Sequence, residues 1–250
     1  MKIVNLSEVI GVEIIGIDLA NLDDNTIAFL KSLLLEKHVI VFREQQVAPE
    51  DLPAVMNNFG DLYFHGQERK YNDSRFIGLI HADETRQYAD GRQVHSERSY
   101  HKFPPRLSML MIDKLPSIGG DTVFINVSKA YNDLPLDIKK IADARFASHR
   151  YPGDGSGNPP TIWPIVRIKP ETGERFLYVN RAFTSHIIGG DPELLETMLN
   201  HIDKEEYRTR VKCSKGDITM WDNLGCQHVA TYDYYPETRT GYRVLATNMY

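Results

Sequence analysis

The run Val94-His-Ser-Glu-Arg-Ser-Tyr-His101 places an imidazole and a carboxylate two residues apart, at His95 and Glu97. Imidazole nitrogen plus carboxylate oxygen suits divalent iron, and a face of two histidines and one carboxylate leaves three coordination positions open. On an extended strand, residues i and i+2 point to the same side, so the expected geometry aims His95 and Glu97 at one point. Tyr100-His101 offers a competing imidazole. The second concentration of chemistry lies near the end of the chain, in Trp221-Asp-Asn-Leu-Gly-Cys-Gln-His228 and Arg239-Thr-Gly-Tyr-Arg243. His228 would complete the metal face. A guanidinium holds a carboxylate by two parallel hydrogen bonds that lysine does not reproduce, so Arg239 and Arg243 are candidate anion holders. A bare His-x-Glu is a common coincidence and an arbitrary arginine is usually a surface ion-pair partner. The weight therefore falls on the combination.

These residues need a scaffold. Gly11-Val-Glu-Ile-Ile-Gly-Ile-Asp18 is β-branched and bounded by glycines, as a strand pair or hairpin is. Asp23 or Asp24 can cap a helix whose apolar face carries Ile27, Leu30 and Leu34. His38-Val-Ile-Val-Phe-Arg43 is too short for a second helix and reads as a buried strand. Pro49 opens another helix, which ends around Asn58-Phe-Gly60. The segment of about 61–93 is polar apart from a strand at Phe76–Ile80, and reads as a lid or binding loop. Phe103 to Asn126 reads as turn, strand, Gly119-Gly120 turn, strand, the pattern of an antiparallel hairpin, with Thr122 entering the second strand. Ser128 to Ala147 reads as helix and connector, and Gly153–Pro160 as a turn-rich loop. Two strands flank Glu171-Thr-Gly-Glu174. Asp191-Pro192 opens a helix, and Ile218–Asp222 is a strand. Many short strands with peripheral helices give a mostly β class in a single domain covering 1–250.

Composition narrows the function classes. The chain of 250 residues carries a formal net charge of −5, which gives no footing for nucleic-acid binding. No apolar stretch approaches the ~20 residues of a membrane helix, and Met1-Lys-Ile-Val-Asn-Leu-Ser lacks a signal-type apolar run. Cys213 and Cys226 are too few for a disulfide framework and read as reduced thiols. A cytoplasmic protein acting on a small molecule, with a homo-oligomer left open, is the expectation.

Together these segments resemble the taurine dioxygenase family of iron(II)- and 2-oxoglutarate-dependent oxygenases. The matching stretches run in order: Val39–Gln45, Phe59-Gly-Asp-Leu62, Pro104-Pro105, Gly119-Gly-Asp-Thr122, Pro164-Ile-Val-Arg167, Pro170-Glu-Thr-Gly173, Phe183–Gly189, Trp221-Asp-Asn223, Gln227-His228, Arg239 and Arg243. The resemblance implies a double-stranded β-helix, that is, a jelly-roll core wrapped by helices. It implies iron(II) held by His95, Glu97 and His228, and 2-oxoglutarate held by Thr122 and Arg239 against Trp221. O2 would be the second cosubstrate, and Arg243, His65 and Phe183 would meet the substrate. The implied reaction oxidises a C–H bond, by default through hydroxylation, and releases succinate and CO2. Desaturation or cyclisation begins with the same bond.

Three departures qualify the match. Glu97 stands where aspartate is usual, which is similar to the His-x-Glu motif of the clavaminate synthase-like branch. Val94 replaces a frequent tryptophan. Glu68 and Gly91 stand where an aromatic and an amide would contact taurine, so the resemblance does not carry taurine itself. Retention of a carboxylate argues against the halogenase variant. Two readings from other classes stay open here: a non-catalytic binding protein on the same fold, and a hydrolytic zinc enzyme using the same His/Glu/His set.

Overall fold

A computed structural model of the protein describes residues 1–64, 70–85, 91–152 and 159–249. The strands of the first half are β1 (Lys2–Asn5), β2 (Val12–Ile15), β3 (Val39–Phe42), β4 (Gly78–Ala82), β5 (Leu107–Lys114) and β6 (Thr122–Asn126). They are followed by β7 (Phe146–His149), β8 (Thr161–Pro164), β9 (Val166–Ile168), β10 (Arg175–Leu177) and β11 (Thr184–Ile187). The last four are β12 (Arg208–Val211), β13 (Ile218–Asp222), β14 (Cys226–Ala230) and β15 (Arg239–Ala246). The helices are α1 (Asp24–Lys37), α2 (Leu52–Asn57), α3 (Val127–Asn132), α4 (Leu136–Asp143) and α5 (Pro192–Ile202).

A seven-stranded sheet of order β1-β2-β3-β13-β5-β15-β4 packs against a three-stranded sheet of order β12-β6-β14. The chain changes sheet at each step from β12 to β13, β14 and β15, and again from β5 to β6. This alternation winds the strands as a double-stranded β-helix, the jelly-roll expected. Val39-Ile-Val-Phe42 shows why its strands are continuously apolar: all four residues of β3 are buried. Val39 and Val41 meet Leu110, Phe124 and Trp221 between the sheets. Ile40 and Phe42 meet Leu30 and Leu34 of α1 and Leu52 and Met56 of α2 on the outer face. Each such side chain stabilises the fold by roughly 1.5–3 kcal/mol on burial. On the far side, Ile125 of β6 joins α3, α5 and β10 in a separate core.

Asp23 caps α1 by accepting from the Thr26 amide, and Asp191 caps α5 by accepting from Leu194, as the sequence predicts. Strands β9 and β10 flank the Glu171–Glu174 turn as an antiparallel pair. Three expectations need correction. Gly11–Asp18 contributes one strand, β2, whose antiparallel partner is β1 and whose other neighbour is β3. The Gly119-Gly120 turn does not close a hairpin: β5 pairs with β13 and β15, whereas β6 pairs with β12 and β14. The local pattern fixed the turn but not the partner, which the two-sheet core selects. The stretch read as one helix and connector holds two helices, α3 and α4. The strand expected at Phe76–Ile80 within the polar segment is β4, set two residues further on, and it forms the edge of the large sheet against β15. Both cysteines are free thiols, Cys226 buried and Cys213 partly so. No helix among the described residues is long and apolar enough to cross a membrane.

Candidate active site

A partly open cleft, about 500 Å³ with the space open to solvent included, lies between the inner faces of the two sheets. Strand periodicity delivers its walls. Thr122 of β6 lies opposite Ala230 of β14, and Phe124 opposite His228, so these four share the inner face. Ile80 of β4, Leu110 of β5, Trp221 of β13, and Arg239 and Arg243 of β15 close the other side. The segment carrying Gly91 and His95 runs along β14: His95 and His228 exchange backbone hydrogen bonds of 3.0 and 2.9 Å, and the Ala230 amide donates to the Gly91 carbonyl at 3.0 Å.

His95, Glu97 and His228 are all buried, and one potential ligand atom from each lies within 4.8 Å of the others. Among the described residues this is the group of three that can hold a metal ion. His101, the competing imidazole, instead meets the Tyr63 hydroxyl through Nδ1 at 2.8 Å. Glu97 is not on an extended strand as the spacing suggests. His95 makes a single bridge, residues 97–100 form a turn, and Arg98 adopts φ +49°. The carboxylate therefore reaches the histidines by a turn rather than by strand alternation.

The donor set fits a divalent cation. The Nδ1 of His95 is 2.7 Å from the Gln93 carbonyl, an acceptor, so Nδ1 carries the proton and Nε2 keeps its lone pair. Burial pushes the pKa of His95 down, and that of His228 well down, with the neighbouring His95 and Arg243 adding to the effect on His228. Both imidazoles are thus held in the neutral form that ligates metals. The Nδ1 of His228 has no hydrogen-bond partner among the described residues.

Arg239 is 4% exposed, and its Nε donates to the Gly120 carbonyl at 2.8 Å. Gly120 has φ +73°, and its amide donates to Asp233 Oδ1 at 2.9 Å. The Gly119-Gly120 turn is therefore a bracket for the buried guanidinium. Trp221 is 2% exposed, stands 4.9 Å from the His228 ring and keeps an indole N–H without a partner among the described residues. A buried cation and an orphaned donor in one cleft fit an anionic oxo acid. Arg243 reaches across to Glu97, with Nη1 donating to Oε2 at 2.9 Å. Phe183 meets the His95 ring edge-on at 5.7 Å, with Tyr100 4.7 Å behind it. His65 lies outside the described residues.

Sequence reasoning missed several members of the site. Leu110, Ile80 and Ala230 line the cleft but look like ordinary strand residues. Asn180 and Ser99 tie its outer wall: Asn180 donates to Ser99 Oγ at 2.9 Å and accepts from the Phe183 amide at 2.9 Å. Their only signal was proximity to Phe183 and Glu97.

A double-stranded β-helix with a buried His/Glu/His face and a buried arginine in the same cleft defines the class of mononuclear metal-dependent oxygenases. The chain belongs to the family described as taurine catabolism dioxygenase TauD, TfdA, which matches residues 2–245. It is 31% identical to an alpha-ketoglutarate-dependent 2,4-dichlorophenoxyacetate dioxygenase from Burkholderia sp., covering 77% of this chain and 76% of that one. It is 26% identical to an alpha-ketoglutarate-dependent sulfate ester dioxygenase from Pseudomonas putida, covering 94% and 85%. The crystal structure of a taurine dioxygenase from Burkholderia xenovorans superposes with a TM-score of 0.88 at 30% identity, covering 98% of this chain and 88% of that one. The protein is accordingly a 2-oxoglutarate-dependent non-haem iron dioxygenase, with iron(II) as cofactor and 2-oxoglutarate and O2 as cosubstrates.

Proposed function

We propose that the protein hydroxylates a C–H bond of a small polar molecule bearing an anionic group, converting 2-oxoglutarate and O2 to succinate and CO2, within one domain spanning the chain. The observation that carries this reading is the meeting of three ligand residues and two inward-facing arginines in one cleft. His95, Glu97 and His228 would hold the iron. Arg239 with Thr122 would take the far carboxylate of 2-oxoglutarate, and Trp221 would wall that pocket and lend its indole N–H. Bound iron, 2-oxoglutarate and O2 supply the oxidising power that no amino-acid side chain has, while the protein orients the reactants and excludes water.

Arg243 faces the same cleft and is matched to the substrate's anionic group, with Phe183 and Tyr100 as an apolar wall for its body. His65 shares the substrate assignment by resemblance. The relatives support the anionic class, since a sulfate ester and a dichlorophenoxyacetate each join an anionic group to an organic body. Free amino acids and sulfonates belong to the same range.

The test is a screen for succinate released from 2-oxoglutarate in the presence of alkanesulfonates, alkyl sulfates, aryloxyacetates, amino acids and neutral alcohols and amides of similar size, with products read by mass spectrometry. One anionic class should raise succinate release above the substrate-free rate and yield a product that has gained one oxygen atom, or the carbonyl compound and sulfite, sulfate or phenol into which a substrate hydroxylated beside its heteroatom collapses. Stimulation by neutral compounds alone would overturn the substrate class. A product that has lost two hydrogens and gained no oxygen would replace hydroxylation by desaturation or cyclisation.

A further inference from the structure

We infer that Arg243 is a positioning residue for Glu97: its guanidinium grips one carboxylate oxygen and so holds the other in place for the metal. The inference rests on the assignment of His95, Glu97 and His228 as ligands, and goes beyond it by giving Arg243 a task that needs no substrate.

Glu97 has a positioning problem. Its side chain has one more rotatable bond than aspartate. It stands in a turn, just before Arg98 at φ +49°, where no strand ladder runs through it. Two guanidiniums flank it unequally. Arg243 Nη1 lies 2.9 Å from Oε2, within hydrogen-bond range, whereas Arg98 Nε lies 3.8 Å from Oε1, beyond it. The strong contact therefore falls on one oxygen. A carboxylate offers about four lone-pair sites, so gripping Oε2 leaves acceptor capacity for a metal on the same group.

Arg243 is a rigid anchor. Its strand, β15, is paired on both sides, with Leu110 of β5 and Gly78 of β4 opposite Arg243 itself. The pair is also well shielded, with side-chain exposures of 15% for Arg243 and 5% for Glu97, so bulk water competes weakly for the contact. The two residues are 146 positions apart in sequence, and the jelly-roll winding brings them together. Partners that orient a metal ligand in this way typically account for 10–100-fold in metal affinity. A guanidinium has five donors, so holding Glu97 through Nη1 is compatible with a second anion at the same side chain.

The experiment measures Mn(II) binding to the metal-free protein without 2-oxoglutarate or substrate, from the electron paramagnetic resonance of free Mn(II). Arg243→Gln should weaken Mn(II) binding by about 10–100-fold, and Arg243→Lys should recover part of the loss. Arg243→Met, which keeps the packing of the stem, is the second variant should the Gln protein not fold. In a Glu97→Asp background the shorter side chain cannot span to both partners, so adding Arg243→Gln should cost much less than in the wild type. That coupling is not expected of a merely structural arginine. Mn(II) affinity in Arg243→Gln and Arg243→Met within twofold of wild type overturns the inference, as does an undiminished penalty in the Glu97→Asp background. Glu97→Ala and His228→Ala separate the two levels. If neither weakens Mn(II) binding, the ligand assignment itself falls. If both do while the Arg243 variants do not, only the positioning role falls.

Discussion

Gly91 lies directly against the ring of His95: a Cβ built on Gly91 would sit 3.2 Å from His95 Cε1. Gly91 also has φ +78°, a conformation that disfavours any side chain, and its carbonyl accepts from the Ala230 amide at 3.0 Å. The residue thus lets the backbone pass behind the His95 ring without displacing it. Gly91→Ala should add roughly 1–2 kcal/mol of backbone strain, lowering Tm by a few degrees, and should tilt His95. A tenfold or greater loss of Mn(II) affinity is expected by titration. Wild-type affinity in that variant would show that the imidazole is not held by this contact.

Arg239 should act on 2-oxoglutarate and not on the metal. Its guanidinium is buried, and burial pushes its pKa below the usual arginine value, opposed by Tyr234 and Cys213 once they ionise and by the carboxylate of Asp121. Removing a charge-assisted pair at such a site costs about 3 kcal/mol, or about 100-fold in affinity. Arg239→Gln should raise the 2-oxoglutarate requirement by about that factor, while Mn(II) binding to the metal-free protein stays unchanged. Equal losses in both measurements would refute the division of labour.

Asp222 should matter to stability more than any cleft residue. It is fully buried, and Arg106 holds it with two hydrogen bonds of 2.7 and 3.2 Å, with Lys169 at 3.7 Å. Burial pushes its pKa up, but Arg106 and Lys169 outweigh this and keep it below the usual value. Asp222→Ala would leave Arg106 and Lys169 with Glu171 and Glu174 as their remaining carboxylate partners, a change that costs about 3 kcal/mol, the low end for breaking a buried pair. Thermal unfolding should show a fall in Tm of roughly 10 °C. A fall of under two degrees would mean that the network contributes little.

His38 gives the fold a defined acid response. Its Nδ1 lies 3.0 Å from Lys169 Nζ, and an ammonium only donates, so the imidazole is a neutral acceptor. Burial, then the charge of Lys169, pushes its pKa from 6.5 down to about 4, against the opposing pull of Glu174 and Asp222. A histidine depressed in the folded state contributes stability that is fully present above pH 6.5 and is lost as pH falls toward 4. The loss should be on the order of 2–3 kcal/mol. His38 also sits at φ +66°, which asparagine tolerates. His38→Asn should therefore fold and show a flatter Tm profile between those pH values. An unchanged slope would exclude His38 as a source of acid sensitivity.

The cluster of His95, Glu97 and His228 and the arginine pair were legible through the resemblance, and strand periodicity carries three of these five residues. His228, Arg239 and Arg243 lie on strands whose alternation puts them inward, and the resemblance runs through those strands in order. Glu97 was legible as a neighbour of the two histidines but not in its geometry, since the positive φ of Arg98 is invisible in a His-x-Glu spacing. The Gly119-Gly120 turn was read correctly and its strands paired wrongly, because a turn signal is local whereas the choice of sheet is made by the whole core. The buried set of His38, Arg106, Lys169 and Asp222 spans more than 180 residues of sequence. Nothing in an isolated lysine after Ile168 marks it as fully buried. Gly91 was read only as a departure from an amide expected to contact taurine, and its place against His95 exists only because β14 brings His228 and Ala230 alongside it.

The most direct measurement adds iron(II) and then 2-oxoglutarate to the protein under anaerobic conditions and follows the visible spectrum. Chelation of iron by the oxo acid in a His/Glu/His site should produce a weak charge-transfer band in the wild type. The band should be absent in His228→Ala and should need about 100-fold more 2-oxoglutarate in Arg239→Gln. A wild-type protein that binds iron(II) and 2-oxoglutarate yet gives no band, or one whose band survives His228→Ala unchanged, would contradict the metal centre described above.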